Sequence, residues 1–421
     1  MKKNLNKTID KYNDEILELG NELFRHPELG YKEFTTKRIL VEFFKKHGIT
    51  VNREYCITGF SVKIGNGEPY IGLIAEMDAI PTLNHPCANL EDQSAAHACG
   101  HSTQCVIMAA AFVALKECLS ENMGTVELFF TPAEEYTDMQ YREKLISEGL
   151  IKYPGGKVNM LVEHIFDDVD VCIHLHAMSE SNYQYGINSS LAGFIYKKFV
   201  FKGKASHAAV LPHLGVNALN AFSLFMSAAA MLRETFKDED MNRFHGRLIE
   251  GGETVNSIPE KVVYESYVRS FNSETLKELS SKYTRAAMYS AMALGAECEV
   301  IDRNGYLPFK PSRSLSEVVY KNMLDYVSDA EIIHDEKSVA AGDIGDLSCF
   351  KPTIQFGYGG IGGVIHGSSM YIKDPSMVYI KTAKIVASSV YDLLNNHDKI
   401  VEIKREFTPS MTYDEYIKYL G

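Results

Sequence analysis

The spacing of apolar residues divides the first half of the chain into helices and strands. Apolar residues recur at helical spacing up to about Lys46, which predicts helices there. Ser102–Leu119 is also apolar at helical spacing. Around it, short apolar runs bounded by turn residues predict buried strands at Phe60–Ile64, Tyr70–Ala75, Val126–Phe130 and Val171–Leu175. Strands that alternate with helices of this length predict a layered α/β domain with a largely parallel sheet.

The pattern changes after about Gly193. A strand-like run is followed by a helical stretch, and the same order repeats once, at Ile195–Phe201, Gly215–Leu232, Val262–Val268 and Thr275–Leu294. This alternation over roughly 110 residues is typical of a small open sandwich inserted into a larger domain. A closing helix is predicted at Ile380–Leu394. The sequence therefore predicts a larger domain at 1–190 and 305–421, interrupted by an inserted domain at 191–304.

Composition narrows the class of protein. The chain has 421 residues, of which 45% are hydrophobic and 23% charged, as in an ordinary soluble globular protein with a large core. Its net charge of -12 and the lack of a basic cluster argue against a nucleic acid partner. No run reaches the ~18 apolar residues that a membrane span needs, so no membrane partner is expected. The eight cysteines show no disulfide-framework spacing, which favours reduced thiols and a cytoplasmic location.

The segment His97–His101 carries the strongest local sign of metal binding. Cys99 and His101 lie two positions apart, and Gly100 between them permits a tight turn that lets both side chains face one ion. A Cys-x-His pattern is common on its own, so it gains weight only when further ligands are present.

A pair of carboxylates, Glu134 and Glu135, follows directly on the predicted strand Val126–Phe130. Ligand crevices in open α/β sheets form at the carboxyl ends of strands. One carboxylate of such a pair can bind a metal while the other acts as a general base. The competing interpretation is a solvated first turn of a helix, where Glu is favoured.

Other strand ends also carry potential ligands. Asp78 follows the second predicted strand, His176 ends the fourth beside His174, and His366 follows a glycine-rich run. Successive side chains of a strand point to opposite faces, so one of the two neighbouring histidines can be a core residue. Carboxylate, thiol and imidazole groups thus gather at several strand ends, which predicts a metal site with mixed ligands.

These motifs occur in an order that resembles a known family. From His26-Pro27-Glu28-Leu29-Gly30 to the segment around His366, the chain resembles the di-metal amidohydrolases of metallopeptidase family 20, subfamily D. That group includes hippurate hydrolases, auxin-conjugate hydrolases, N-acyl amino acid deacetylases and aminobenzoyl-glutamate hydrolase-like proteins. The resemblance implies an α/β fold, with a phosphorylase/hydrolase-like catalytic, metal-binding domain at 1–190 and 305–421. It also implies that 191–304 form a smaller ferredoxin-like α+β lid and dimerisation domain.

The resemblance further implies a role for each site residue. Cys99 corresponds to the ligand that bridges two divalent metal ions, Glu134 to the general base, and Asp78 to a carboxylate that supports the site. The other metal ligands correspond to His101, Glu135, His176 and His366. The implied ions are Zn or Mn, with Co or Ni as alternatives.

Three residues of the inserted domain also match the family. His207 resembles the histidine that helps to hold the developing oxyanion, and in relatives this residue often reaches the site of a dimer partner. Asn256 and Arg269 resemble groups that bind the substrate carboxylate, a task that suits the planar fork of Arg. The alternative for Arg269 is a surface ion pair. We therefore expect a small-molecule substrate and a homodimer formed through the inserted domain.

The expected function is hydrolysis of the amide bond of an N-acyl amino acid or a short peptide conjugate. The chain departs from the family at Ser102 and Gln104, where Asp and a second His are usual. A dipeptidase or carboxypeptidase of the same fold is one alternative. A non-catalytic amide-binding protein on this scaffold is another, supported only by these two departures. The segment Ala341–Asp346 looks more like the aminobenzoyl-glutamate branch.

Overall fold

The computed structural model describes residues 1–120 and 122–421 of the chain. They form two compact units, which are described separately. Unit 1 comprises Met1–Ser190, Lys310–Glu336 and Asp346–Thr412. Unit 2 comprises Leu191–Phe309, Lys337–Gly345 and Tyr413–Gly421.

The helices, in chain order, are α1 Lys2–Lys11, α2 Asn13–Phe24, α3 Phe34–Lys46, α4 His101–Cys118, α5 Met139–Ser147, α6 Gly156–Val162, α7 Ala218–Met231, α8 Ser273–Ala293, α9 Arg313–Met323, α10 Ile344–Ser348, α11 Thr382–Leu394, α12 His397–Glu406 and α13 Tyr413–Leu420. The strands are β1 Val51–Tyr55, β2 Gly59–Asn66, β3 Tyr70–Glu76, β4 Ile80–Pro81, β5 Ala95–Ala96, β6 Gly124–Thr131, β7 Val171–Ala177, β8 Tyr185–Ile187, β9 Ser190–Leu191, β10 Gly193–Lys202, β11 Arg243–Glu250, β12 Lys261–Ser270, β13 Glu297–Asn304, β14 Ile332–His334, β15 Lys337–Ser338, β16 Thr353–Tyr358, β17 Ile361–Gly362 and β18 Tyr371–Ile372.

Unit 1 is built on an eight-stranded mixed sheet in the order β1-β2-β6-β3-β7-β16-β8-β14. Its central strands β6, β3, β7 and β16 run parallel, so their carboxyl ends lie at one edge. Strands β2 and β8 pair antiparallel with the two outer members of this group. The expectation of a largely parallel sheet therefore holds only for these four strands. The predicted α/β class is confirmed.

Helix α4 occupies the centre of unit 1. Its residues are buried from His101 to Leu115, and it packs against β3, β6 and β7 on one side and α1, α2 and α11 on the other. A helix that is apolar all round is typical of such a central position. Burial of the whole helix fixes its first turn, including His101, relative to the ends of the neighbouring strands.

Unit 2 contains a four-stranded antiparallel sheet in the order β11-β12-β10-β13. Helices α7 and α8 both pack on β10 and β12 and contact each other. The order β10-α7-β11-β12-α8-β13 is that of a ferredoxin-like fold, as predicted. Strands β11 and β13 were missed in the sequence, because many of their side chains are exposed and polar.

Unit 2 also includes three stretches that the expected boundaries assigned to the larger domain: 305–309, 337–345 and 413–421. Helix α13 packs on β13, and the side chain of Asn304 donates to the carbonyl of Tyr419. The amide of Ala192 donates to the carbonyl of Ser338 at 3.1 Å. These contacts join segments that are far apart in sequence, so no local pattern reports them.

Across the two described stretches, no helix has both the length and the apolar composition required to cross a lipid bilayer.

Candidate metal centre

The carboxyl ends of the parallel strands in unit 1 bring polar side chains together. Strand β3 leads into Asp78, and β6 leads into Glu134 and Glu135. Strand β7 contributes His176 near its end, and α4 begins at His101 in the same region. Parallel strands present their carboxyl ends at one edge of a sheet, which is where ligand crevices form.

The thiol of Cys99 is the meeting point of this cluster. Its Sγ lies 3.4 Å from His176 Nε2 and 3.3 Å from His366 Nε2. Gly100 has φ +97, and a Cβ at this position would lie 2.7 Å from the Cβ of Ala177. The glycine is therefore required both by the backbone conformation and by the close approach of β7.

Two groups of three potential ligands share this thiol. The first is Cys99, His101 and His176, and the second is Cys99, Glu135 and His366. Within each group, the ligand atoms all lie within 4.8 Å of one another. The structure thus brings together all five residues that the sequence predicted as metal ligands, although His366 is 267 positions from Cys99.

Asp78 orients two members of the cluster. Its Oδ1 and its backbone carbonyl oxygen each lie 3.0 Å from His101 Nδ1. Its Oδ2 accepts a hydrogen bond of 2.9 Å from the backbone amide of Glu135. An imidazole held through one nitrogen by a carboxylate presents the other nitrogen to a metal ion. The geometry of Asp78 is therefore that of a supporting carboxylate.

The turn that carries the two glutamates is held by its backbone. Ala133 has φ +52, an unfavourable conformation for a residue with a side chain. Its amide donates to Glu33 Oε1 at 2.9 Å, and its carbonyl oxygen accepts a hydrogen bond of 3.4 Å from Arg142 Nη1. Arg142 also donates to the carbonyl of Glu135. These contacts direct Glu134 and Glu135 toward different histidines.

The separation of the two glutamates is visible in their distances. Glu134 Oε2 lies 3.8 Å from His101 Nε2, whereas Glu135 Oε1 lies 3.3 Å from His366 Nε2. Burial opposes ionisation of Glu135, but the hydrogen bond and charge of His366 outweigh it and lower the pKa of Glu135 to about 2. The carboxylate of Glu135 is therefore ionised across the physiological pH range, as a metal ligand must be.

The donor set fits a divalent cation. His101 Nε2 and Glu135 Oε1 are buried, and neither has a hydrogen-bond partner in the part of the chain that the structure describes. Burial lowers the pKa of His176 to about 4, which leaves this imidazole neutral and able to coordinate. Burial and the charge of Glu135 raise the pKa of the Cys99 thiol. A coordinated thiol is deprotonated by its metal, so a cation would reverse this last effect.

Four further residues at the site were missed by sequence reasoning. Glu76, Gln104, Lys157 and His174 form a buried polar group beside His101. Glu76 carried a signal, since it ends the strand that leads to Asp78. Gln104 stands out in the sequence only as a departure from the family, and Lys157 lies in a helix whose position near the site no local pattern reports.

The three residues predicted as substrate contacts lie in unit 2. His207 Nδ1 accepts hydrogen bonds from the backbone amides of Ala209 and Val210, at 3.3 and 3.2 Å. The amide of Ala208 donates to the carbonyl of Asn256 at 2.9 Å, which joins the two motifs.

Arg269, the third of these residues, is half-buried, and its guanidinium lies over the ring of Phe194, 5.6 Å from its centroid. Its Nη1 donates to Val339 O at 3.1 Å and its Nε to His245 Nε2 at 3.3 Å. These contacts fix the side chain within unit 2. They concern its position only, so its role toward a substrate stays a prediction.

Comparison with known proteins agrees with this geometry. A family model described as peptidase family M20/M25/M40 matches residues 72–392. The chain is 25% identical to one of the polypeptides of the p-aminobenzoyl-glutamate hydrolase of Escherichia coli (strain K12) over 314 residues, 72% of this chain and 61% of that polypeptide. It is 24% identical to the Xaa-Arg dipeptidase of Homo sapiens over 444 residues, 97% of this chain and 92% of that protein.

Among solved structures, the YxeP protein of Bacillus subtilis, described as a dinuclear metal-binding peptidase from the M20 family, has the same fold. The TM-score is 0.68 at 19% identity, and the match covers 91% of this chain and 99% of that one. The family model spans well over half of the sequence, and the resemblance stated from the motifs is confirmed. The chain belongs to peptidase family M20/M25/M40.

Proposed function

We propose that the protein is a metal-dependent amidohydrolase that cleaves the amide bond of an N-acyl amino acid or a short peptide conjugate. The observation that carries this proposal is the convergence of two ligand groups on the single thiol of Cys99. In this proposal Cys99 bridges two divalent cations. His101 and His176 complete one set of ligands, and Glu135 and His366 complete the other.

The cations supply Lewis acidity and lower the pKa of a bound water from ~15.7 toward neutrality. Glu134 is the proposed general base, which takes the proton of that water and later gives it to the leaving amine. Its position supports this role, because its carboxylate faces His101 while Glu135 faces His366. The donor set with thiolate and imidazole suits Zn, and Mn, Co and Ni are the other ions to be tested.

Unit 2 provides the proposed contacts to the acyl amino acid. Because His207 Nδ1 accepts two backbone amides, the neutral ring carries its proton on Nε2, where it can donate to a developing oxyanion. Asn256 and Arg269 are proposed to bind the substrate carboxylate. Stacking of Arg269 on aromatic rings limits the rotamers of its long side chain, which reduces the entropic cost of binding an anion.

The setting we propose is a cytoplasmic homodimer formed through unit 2. All eight cysteines are free, which suits a reducing compartment. Analytical ultracentrifugation of the purified chain tests the dimer directly.

A dipeptidase is the second candidate function. It is favoured by the similarity to the human Xaa-Arg dipeptidase over nearly the whole chain. The two activities differ at the nitrogen of the residue on the acyl side, which is blocked or absent in an N-acyl amino acid and a free ammonium in a dipeptide.

One assay separates these functions. The chain is freed of metal with a chelator, reloaded with Zn or Mn, and given N-acetyl, N-benzoyl and aminobenzoyl amino acids alongside dipeptides with free N-termini. We expect release of the free amino acid from the N-acyl substrates only with the metal-loaded enzyme. Cleavage restricted to dipeptides would favour the second candidate. No hydrolysis of either class with any of the four ions would favour a binding protein.

A further inference from the structure

A buried carboxylate, Glu76, ends strand β3 and is 1% exposed. Its Oε1 accepts a hydrogen bond of 2.6 Å from Lys157 Nζ, and its Oε2 accepts one of 2.8 Å from Gln104 Nε2. His174 Nε2 lies 3.2 Å from Oε1. Side chains from α4, α6 and β7 therefore surround this carboxylate, and a charge buried so completely requires such compensation.

The ring of His101 faces the same carboxylate. Asp78 already orients this ring through Nδ1, so Nε2 is the nitrogen left for a metal ion. Among residues 1–120 and 122–421, this buried Nε2 has no hydrogen-bond partner. It lies 3.2 Å from Glu76 Oε2 and 3.8 Å from Glu134 Oε2, and these three residues form a third group of potential ligands.

We propose that Glu76 is an additional ligand of the divalent cation on the His101 side of the centre. Donor atoms bound tetrahedrally to one cation at about 2.0–2.2 Å lie roughly 3.3–3.6 Å from each other, close to the observed 3.2 Å. A carboxylate offers about four acceptor positions, and the hydrogen bonds from Lys157 and Gln104 use two of them. Oε2 keeps a position for the cation, which would also satisfy His101 Nε2. This inference rests on the proposed di-metal function.

Gln104 acquires a purpose in this arrangement. Its Oε1 accepts the backbone amide of Glu76 at 3.1 Å, while its Nε2 donates to the carboxylate of the same residue. Two hydrogen bonds to one residue fix both the end of β3 and the orientation of the carboxylate. The departure of Gln104 from the family pattern therefore keeps Glu76 in place beside His101.

Lys157 reaches Glu76 because helix α6 begins against the turn before the two glutamates. A Cβ at Gly156 would lie 1.7 Å from the carbonyl oxygen of Pro132, so only glycine permits this approach. The ammonium of Lys157 then neutralises Glu76 from the side opposite the cation. A Lys beside a metal ligand competes with the metal for the same negative charge. Its removal should strengthen cation binding, whereas the loss of a purely structural ion pair should weaken it.

Calorimetric titration of the chelator-stripped chain with MnCl2 tests the inference without any measurement of activity. The variants are Glu76→Gln, Lys157→Met and the double variant that removes both charges together. Glu127→Gln is the matched control, because Glu127 is equally buried in unit 1 and is bound by Asn52 and Ser61 away from the centre. Circular dichroism establishes that each variant is folded, and the double variant carries the test if Glu76→Gln does not fold.

We expect the wild type and Glu127→Gln to bind two Mn²⁺ per chain. Glu76→Gln and the double variant should bind one of the two at least ~10-fold more weakly, the scale of loss known for residues that support metal sites. Lys157→Met should bind both at least as tightly as the wild type. Unchanged affinities in Glu76→Gln and the double variant, or weaker binding in Lys157→Met, would refute the role of Glu76 and leave the di-metal centre intact. A wild type that binds no metal would refute the centre itself.

Discussion

Glu33 offers a quantitative test of how the turn before the catalytic glutamates is stabilised. Its side chain is fully buried, with Oε1 bound by the amide of Ala133 and Oε2 by the hydroxyl of Thr58 at 2.6 Å. Burial and the nearby charge of Asp78 raise the pKa of Glu33 from 4.5 to about 8. The neutral acid is therefore the form that the folded chain prefers at neutral pH.

The sign and size of the effect follow from this shift. Below pH 4.5 the carboxyl of Glu33 is protonated in both the folded and the unfolded chain, and its stabilising contribution is fully present. Between pH 4.5 and 8 only the unfolded chain loses the proton, so the free energy of unfolding falls as the pH rises. A shift of roughly 3.5 pH units corresponds to about 5 kcal/mol, lost in full above pH 8.

The perturbation that isolates this effect is Glu33→Gln, because Gln has the shape of the neutral acid and can keep both hydrogen bonds. Urea unfolding of metal-free wild type and variant is measured from pH 5 to pH 9. We expect nearly equal stabilities at pH 5, and a variant that is more stable than the wild type by several kcal/mol at pH 9. A stability difference that does not change with pH, or one that favours the wild type at high pH, would refute the reasoning.

Three further substitutions test the centre itself. Glu134→Gln should lower hydrolysis at least ~100-fold and leave metal content at two per chain, whereas Glu135→Gln should lose metal and activity together, as measured by elemental analysis and turnover. The reverse pattern would show that the two carboxylates have been assigned backwards. Asp78→Asn should weaken metal binding about 10–100-fold in a calorimetric titration with little change in melting temperature, and unchanged affinity would remove its orienting role. Gly100→Ala should destabilise the chain by about 1–3 kcal/mol, because its Cβ would lie 2.7 Å from that of Ala177 at φ +97, and wild-type stability in urea would contradict this geometry.

The sequence alone determined the main elements and most of the residues at the centre. Buried strands such as β3 and β6 are short continuous apolar runs, and helix α4 is a long one, so their local patterns were sufficient. Polar residues placed directly after such strands predicted a crevice, because parallel strands end at one edge. The convergence of His366 on Cys99 was expected only from the resemblance, since no local pattern links positions so far apart.

Only the tertiary structure decided how buried charge is distributed around the centre. Strand β16 pairs between β7 and β8, a position that its own six residues do not encode. Lys157 meets Glu76 across 81 positions of sequence, because α6 can begin against the turn at Pro132. Whether a lysine or a glutamate is solvated or buried depends on what packs around it, and a charged residue has the same local sequence signal in both cases. The sequence therefore specified which groups could act, and packing determined which of them meet.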